Sequence, residues 1–138
     1  MKEYVFEDLT LGLKHEFEAT FTEEMAQEFA RISGDVNPLH VDREYAKAAG
    51  FASPVLFGML TSSLYSTLVG VYLPGKYALL QGIDIDFNSP VFAGERLFVQ
   101  GEVVFINEAY KRFEIKASIR KQDRKLISKA IIRAGFHA

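Results

Sequence analysis

The 138-residue chain contains no cysteine and no tryptophan, and acidic residues only slightly outnumber basic ones. Without cysteine it has no disulfide, no thiolate nucleophile and no cysteine-type zinc site. Sixteen Lys and Arg against eighteen Asp and Glu give a formal charge of −2. This balance predicts binding neither to nucleic acid nor to an anionic membrane surface. The absence of cysteine is compatible with a cytoplasmic protein, which we expect.

Long apolar runs are also missing. Acidic residues interrupt residues 1–8, so we do not expect a signal peptide there. The longest apolar stretch, residues 55–73, contains Thr, Ser and Gly, and we interpret it as a buried helix rather than a membrane span. The length, with 49% hydrophobic residues and no repeat or linker, predicts one globular domain over residues 1–138.

Apolar periodicity predicts the first secondary-structure elements. Two-residue spacing predicts a strand over residues 12–21, followed by a helix that either Thr20 or Thr22 caps; Thr20 would do so in a capping box. Residues 35–40 are predicted to form a loop, because the residue before a proline avoids the helical region. A short helix over residues 42–49 follows, since Asp42 caps well and Gly50 ends helices.

The rest of the chain predicts one enclosed helix and four strands. Residues 58–71 are apolar on nearly every face, which is typical of a helix inside a core. Two-residue alternation then predicts strands near 79–88, 97–105, 112–120 and 127–136. In the first of these strands Leu79, Gln81, Ile83, Ile85 and Phe87 share one face. The order predicts an α+β fold, an antiparallel sheet wrapped around a long central helix. The exposed edge of such a sheet favours a homodimer, or a dimer of dimers.

Asp35 and His40 are the candidate catalytic residues. They lie five positions apart across an Asn-Pro turn, where a carboxylate and an imidazole can hold one water between them. Acid–base chemistry next to a carbonyl group also needs a donor to the oxygen on which negative charge develops. Gly58 is the candidate donor, because it lies where the long helix begins and has no side chain to block a ligand. Spacing alone leaves both an acid–base site and an ordinary turn open.

Four segments resemble the MaoC-like dehydratases and (R)-specific enoyl-CoA hydratases in order and in spacing. They are residues 33–42 (Ser-Gly-Asp-Val-Asn-Pro-Leu-His-Val-Asp), 54–60 (Pro-Val-Leu-Phe-Gly-Met-Leu), 73–75 (Leu-Pro-Gly) and 87–95 (Phe-Asn-Ser-Pro-Val-Phe-Ala-Gly-Glu). The similarity covers residues 20–105, and the predicted strands extend it to the end of the chain.

The resemblance implies a single hot-dog domain and a homodimer whose two sheets join. It implies (R)-specific hydration of trans-2-enoyl thioesters, or the reverse dehydration, on acyl-CoA or acyl carrier protein. No metal or redox cofactor is expected. The residues it implies are the catalytic pair Asp35 and His40, the oxyanion donor Gly58, and the further substrate-binding candidates Ser66, Asn37 and Phe57.

One position departs from the resemblance, and two other functions stay open. Many relatives carry His before the glycine, whereas this chain has Phe57. An aromatic ring there would narrow the acyl channel or favour a different acyl group or carrier. A non-catalytic hot-dog module that binds acyl thioesters would need neither Asp35 nor His40. A hot-dog thioesterase typically has a carboxylate on or near its central helix, and residues 58–71 contain none.

Overall fold

A computed structural model describes residues 1–137. The predicted elements occur in the predicted order, and a 3₁₀ turn and one short helix are added to them. A 3₁₀ turn (Phe6–Asp8) precedes strand β1 (Lys14–Thr20) and helices α1 (Glu23–Ser33), α2 (Pro38–Val41), α3 (Arg43–Ala48) and α4 (Gly58–Thr67). A π-helical turn (Leu68–Tyr72) extends α4, and strands β2 (Ala78–Phe87), β3 (Arg96–Asn107), β4 (Arg112–Lys121) and β5 (Leu126–Phe136) follow. None of these helices is long and apolar enough to span a bilayer. Ala138 lies outside the described residues, and the extent of the domain stays a prediction.

The five strands form one antiparallel sheet in the order β1-β3-β4-β5-β2. Strand β4, the central strand of the sheet, shows the predicted alternation, with Phe113, Ile115, Ala117 and Ile119 buried. Strands β1 and β2 are the two edges. The inner face of the sheet forms one side of the core. Because β1 and β2 each have one strand neighbour, the outer edge of each has no strand partner within residues 1–137.

Helix α4 and its π-helical turn pack against this inner face. Their buried hydrophobic residues are Leu60, Leu64, Tyr65, Leu68 and Val69. Gly101 of β3 allows the close approach, because a Cβ there would lie 2.6 Å from Leu68 Cδ2. The hydroxyls of Tyr65 and Ser128 of β5 lie 2.7 Å apart, so these two buried polar groups satisfy each other.

A β-bulge changes the face assignment at the start of β2. The register with β5 shifts between Leu80 and Gly82, which leaves Gln81 as the extra residue. An extra residue reverses the alternation of side chains, so Leu80 lies on the face of Ile83. The predicted grouping of Leu79 and Gln81 with Ile83 is therefore wrong.

The ends of α1 follow local capping chemistry. Thr22 Oγ1 accepts a hydrogen bond of 3.1 Å from the Met25 N–H, so Thr22 is the cap of the two predicted candidates. Thr20 is the last residue of β1, and the predicted capping box of Thr20 does not form. Gly34 ends the helix with a positive φ of 75°, a conformation that favours glycine.

Candidate active site

A chain of short-range hydrogen bonds stabilises the turn that carries Asp35. The Ser33 hydroxyl donates to the Phe29 carbonyl over 2.7 Å and accepts from the Asp35 N–H over 3.1 Å. The Asp35 carboxylate Oδ1 accepts from the Asn37 N–H over 3.1 Å. Asp35 is exposed. A carboxylate has two acceptor oxygens, and the turn uses Oδ1, so the capacity of Oδ2 remains for a ligand.

His40 lies in a helical turn and not in a loop. The Asn37 side chain caps α2 by accepting from the Leu39 N–H over 3.0 Å, and Pro38 occupies the first helical position. Proline is favoured there, because the N–H it lacks has no partner within the helix. The predicted loop over residues 35–40 is therefore correct as far as Asn37 and wrong from Pro38 onward. Four helical residues are too few to produce a visible apolar period.

The backbone of Val55 forms hydrogen bonds with the helical turn that carries His40. Its N–H donates to the Leu39 carbonyl over 3.1 Å, and its carbonyl oxygen lies 2.7 Å from His40 Nδ1. A carbonyl only accepts, so Nδ1 carries the proton and Nε2 of the neutral ring is the acceptor. The imidazole is thereby oriented with Nε2 as the nitrogen able to take a proton.

Helix α4 begins next to the His40 side chain. Phe57 is the residue before the helix, and its ring centroid lies 4.3 Å from that of His40. Gly58 is the first helical residue, where the N–H has no acceptor within the helix. Phe87, the last residue of β2, packs on Gly58 so closely that a Cβ at Gly58 would lie 2.8 Å from Phe87 Cε1.

One cleft of about 590 Å³ brings four of the six predicted site residues together. Asp35, His40, Phe57 and Gly58 line it, together with Val55, Leu56, Met59, Thr61, Phe87, Asn88, Ser89, Pro90, Val91 and Ile127. A smaller cavity of about 280 Å³ also borders His40, but its walls include neither Asp35 nor Gly58. The larger cleft is therefore the candidate active site.

Two predicted residues lie outside this cleft. The Asn37 amide caps α2, and Ser66 is exposed on α4. Their assignment to substrate binding stays a prediction. Conversely, we assigned no functional role to Phe87 or Asn88 from the sequence, although both line the cleft and belong to residues 87–95, one of the four segments that resemble the family. The motif was the available signal for them.

Within residues 1–137, no three His, Asp or Glu side chains are grouped so that they could hold a metal ion. The polar groups that line the cleft include a carboxylate, an imidazole and the backbone N–H at the start of α4, besides the side chains of Thr61, Asn88 and Ser89. This set matches a general acid–base site with a donor for a developing oxyanion.

The sequence profile described as "MaoC like domain" matches residues 9–123. The chain belongs to this family. It is 36% identical over 102 residues to an (R)-specific enoyl-CoA hydratase of Aeromonas caviae, with 74% of this chain and 76% of that protein covered. It is 33% identical over 98 residues to a 3-hydroxybutyryl-CoA dehydratase of Methylorubrum extorquens, with 71% and 62% covered.

Solved structures agree with this family assignment. The (R)-hydratase from A. caviae superimposes with a TM-score of 0.90 at 31% identity, covering 94% of this chain and 98% of that one. An unliganded R-hydratase from Pseudomonas aeruginosa gives a TM-score of 0.89 at 29% identity, covering 95% and 84%. The predicted family resemblance and the predicted α+β hot-dog fold are both confirmed.

Proposed function

We propose that this chain adds water to trans-2-enoyl thioesters to form (R)-3-hydroxyacyl thioesters, or catalyses the reverse dehydration. The observation that carries the proposal is the single cleft lined by Asp35, His40 and Gly58. The names of the two relatives above describe the two directions of this one reaction.

Asp35 and His40 act on one water held between the free carboxylate oxygen and Nε2. The water gives a proton to the pair as its oxygen bonds to the β-carbon of the thioester. The electrons of the double bond move toward the carbonyl, and the pair then delivers one proton to the α-carbon. The pair gains one proton and loses one, so it returns to its starting state and is best treated as one coupled unit.

The Gly58 N–H stabilises the charge that develops on the thioester oxygen. Phe57, which precedes the helix, has no side-chain acceptor that caps it, so the first N–H groups of α4 are available to a ligand. The positive end of the helix dipole adds to this stabilisation. A hydrogen bond to an oxygen that gains negative charge becomes stronger in the transition state. Only interactions that strengthen in this way accelerate the chemical step.

The acyl carrier is the finer part of the proposal. The relative from A. caviae is named for enoyl-CoA, whereas a mitochondrial relative from Arabidopsis thaliana, 31% identical over 100 residues, is named for acyl carrier protein. We propose acyl-CoA as the first substrate to test and acyl carrier protein as the second. The cytoplasmic location stays a prediction.

A homodimer paired along β2 is also proposed. Leu79, Leu80 and Phe87 of this edge strand are 46%, 46% and 53% exposed, and Met59 of α4 is 64% exposed. Ser66 is also exposed on α4. A second copy would cover these groups and complete the edge. Light scattering should give twice the chain mass, and Leu80→Asp should give a monomer; a wild-type monomer at micromolar concentration would contradict the proposal.

The activity test follows the loss of enoyl-thioester ultraviolet absorbance with crotonyl-CoA, longer trans-2-enoyl-CoAs and the matching carrier-protein thioesters. Product stereochemistry tests the (R) assignment. Because the chain has no cysteine, a thiol reagent detects only CoA that has been released. Thiol release without hydration would mean a thioesterase, and binding without either signal would mean a binding module; both outcomes contradict the proposal.

A further inference from the structure

Phe57 stands where many relatives carry histidine, and its side chain is directed into the protein. Only 2% of the residue is exposed, although it borders the cleft. The expectation that an aromatic ring here would narrow the acyl channel requires the ring to face the channel. A ring this deeply buried presents almost no surface to a substrate, so its role has to be found in what it contacts.

Two rings enclose the Phe57 side chain. The His40 imidazole lies at a centroid distance of 4.3 Å with 31° between the ring planes. Phe29 of α1 lies at 4.9 Å with 58° between the planes. The Phe57 ring therefore fills the space between the imidazole and the first helix, and it cannot move without disturbing one of them.

The backbone of the same residue starts α4. Its carbonyl oxygen accepts from the N–H groups of Leu60 and Thr61, each over 3.1 Å. The next residue, Gly58, presents the N–H proposed as the oxyanion donor. One residue thus supports the imidazole with its side chain and sets the position of the donor with its backbone.

We propose that Phe57 is a positioning residue, which holds the His40 imidazole at a fixed position relative to the Gly58 N–H. The inference rests on the proposed function of the cleft. The bond from Nδ1 to the Val55 carbonyl fixes one atom of the imidazole, and the ring is still able to tilt about that atom. The face of Phe57 opposes the tilt. Misplacing a catalytic group by about 1 Å costs on the order of 100-fold in rate.

The test compares three variants in the full-length protein with crotonyl-CoA. Phe57→Leu keeps an apolar side chain but loses the flat ring. We expect kcat to fall roughly 10- to 100-fold while KM is unchanged, because the ring positions a catalytic group and does not touch the substrate. Phe57→His restores a planar ring of the type that relatives carry, and kcat should recover most of the loss.

Phe113→Leu is the matched control. Phe113 is 1% exposed, packs on Phe136 at a centroid distance of 5.6 Å, and does not line the cleft. It should lower the unfolding temperature about as much as Phe57→Leu and leave kcat unchanged. Equal kcat values for the two leucine variants would overturn the positioning role. A higher KM with wild-type kcat in Phe57→Leu would overturn it in favour of a channel wall.

A spectroscopic measurement separates this inference from the proposed function. The chain has three histidines, so the imidazole C–H resonances of His40 can be assigned with His40→Gln. The ring current of Phe57 should shift these resonances, and Phe57→Leu should remove the shift while Phe113→Leu leaves it. A wild type that is inactive on every enoyl thioester refutes the proposed function and with it the positioning role, even if the shift is present. An active wild type whose His40 resonances ignore Phe57→Leu overturns the inference alone.

Discussion

Asp35 and His40 lie in the same short segment, yet different kinds of interaction position them. The hydrogen bonds that shape the turn around Asp35 join residues two to four positions apart. The His40 imidazole bonds to Val55, fifteen positions away, and packs on Phe57 beyond it. One of the two proposed catalytic groups is therefore positioned by local sequence, and the other by segments that only the fold brings near. Variants that disturb one kind of interaction and spare the other test this difference.

Removal of either proposed catalytic group should have the largest effect. Asp35→Asn and His40→Gln each remove one of the two groups proposed to bind the reacting water. Each substitution should lower kcat by a factor of roughly 10² to 10⁴. If the pair acts as one unit, as proposed, the double variant should lose little more than the worse single variant. Loss of enoyl absorbance measures the rates, and circular dichroism checks the fold. Wild-type activity in both single variants would refute the assignment.

Gly58→Ala should have the next largest effect. The new Cβ would lie 2.8 Å from Phe87 Cε1, and such overpacking costs about 1–3 kcal/mol of stability. The methyl group also stands where the thioester oxygen must approach, so kcat/KM should fall. Gly58→Ala combined with Phe87→Leu should regain the stability without the activity. Regained activity would mean that the clash, and not the blocked approach, caused the loss.

Ser128→Ala tests a tertiary hydrogen bond that does not touch His40. It leaves the buried Tyr65 hydroxyl without its partner at 2.7 Å, which should lower the free energy of unfolding by about 1–3 kcal/mol. Urea unfolding measures the loss, and kcat should be unchanged. A large fall in kcat would contradict the view that long-range bonds position the site only where they reach His40.

The same pair predicts a pH dependence. Burial raises the pKa of Tyr65 to about 12, and the hydrogen bond to Ser128 lowers it by a smaller amount. In the unfolded chain the tyrosine titrates near 10. The folded state therefore binds the hydroxyl proton of Tyr65 more tightly than the unfolded chain does. The resulting contribution to the free energy of unfolding is fully present below pH 10 and is lost as the pH rises toward 12. The free energy of unfolding of the wild type should fall over that pH range relative to the free energy of unfolding of Tyr65→Phe. Parallel curves of unfolding free energy against pH would contradict the raised pKa of Tyr65.

Two helix caps give the smallest effects and the sharpest comparison. Thr22→Ala and Asn37→Ala remove caps of the same kind, each contributing about 1 kcal/mol. Of the two capped helices, only α2 carries a proposed catalytic residue, His40, so only Asn37→Ala should also lower kcat. Thermal unfolding and the absorbance assay measure the two quantities. Equal kcat values would mean that the Val55 and Phe57 contacts alone position His40.

Much of the fold was predictable, because burial leaves a period in the sequence. The alternation in β4 and the caps at Thr22 and Asp42 appear where the local chemistry requires them. The errors have physical causes as well. The bulge at Gln81 depends on the register with β5, and the helix α2 is too short for its apolar residues to show a period.

By itself, the sequence determined the order of the main elements and the turn around Asp35, since each depends on neighbours within a few positions. The candidate residues came from its motifs and their resemblance to the family. The tertiary structure alone decided which His40 nitrogen carries the proton, that Phe57 lies against the imidazole, that Phe87 covers Gly58, and that Asn37 and Ser66 lie outside the cleft. A period in the sequence tells which face of an element is buried. It does not tell which residue of a distant segment meets that face, because that contact is set by how the elements pack.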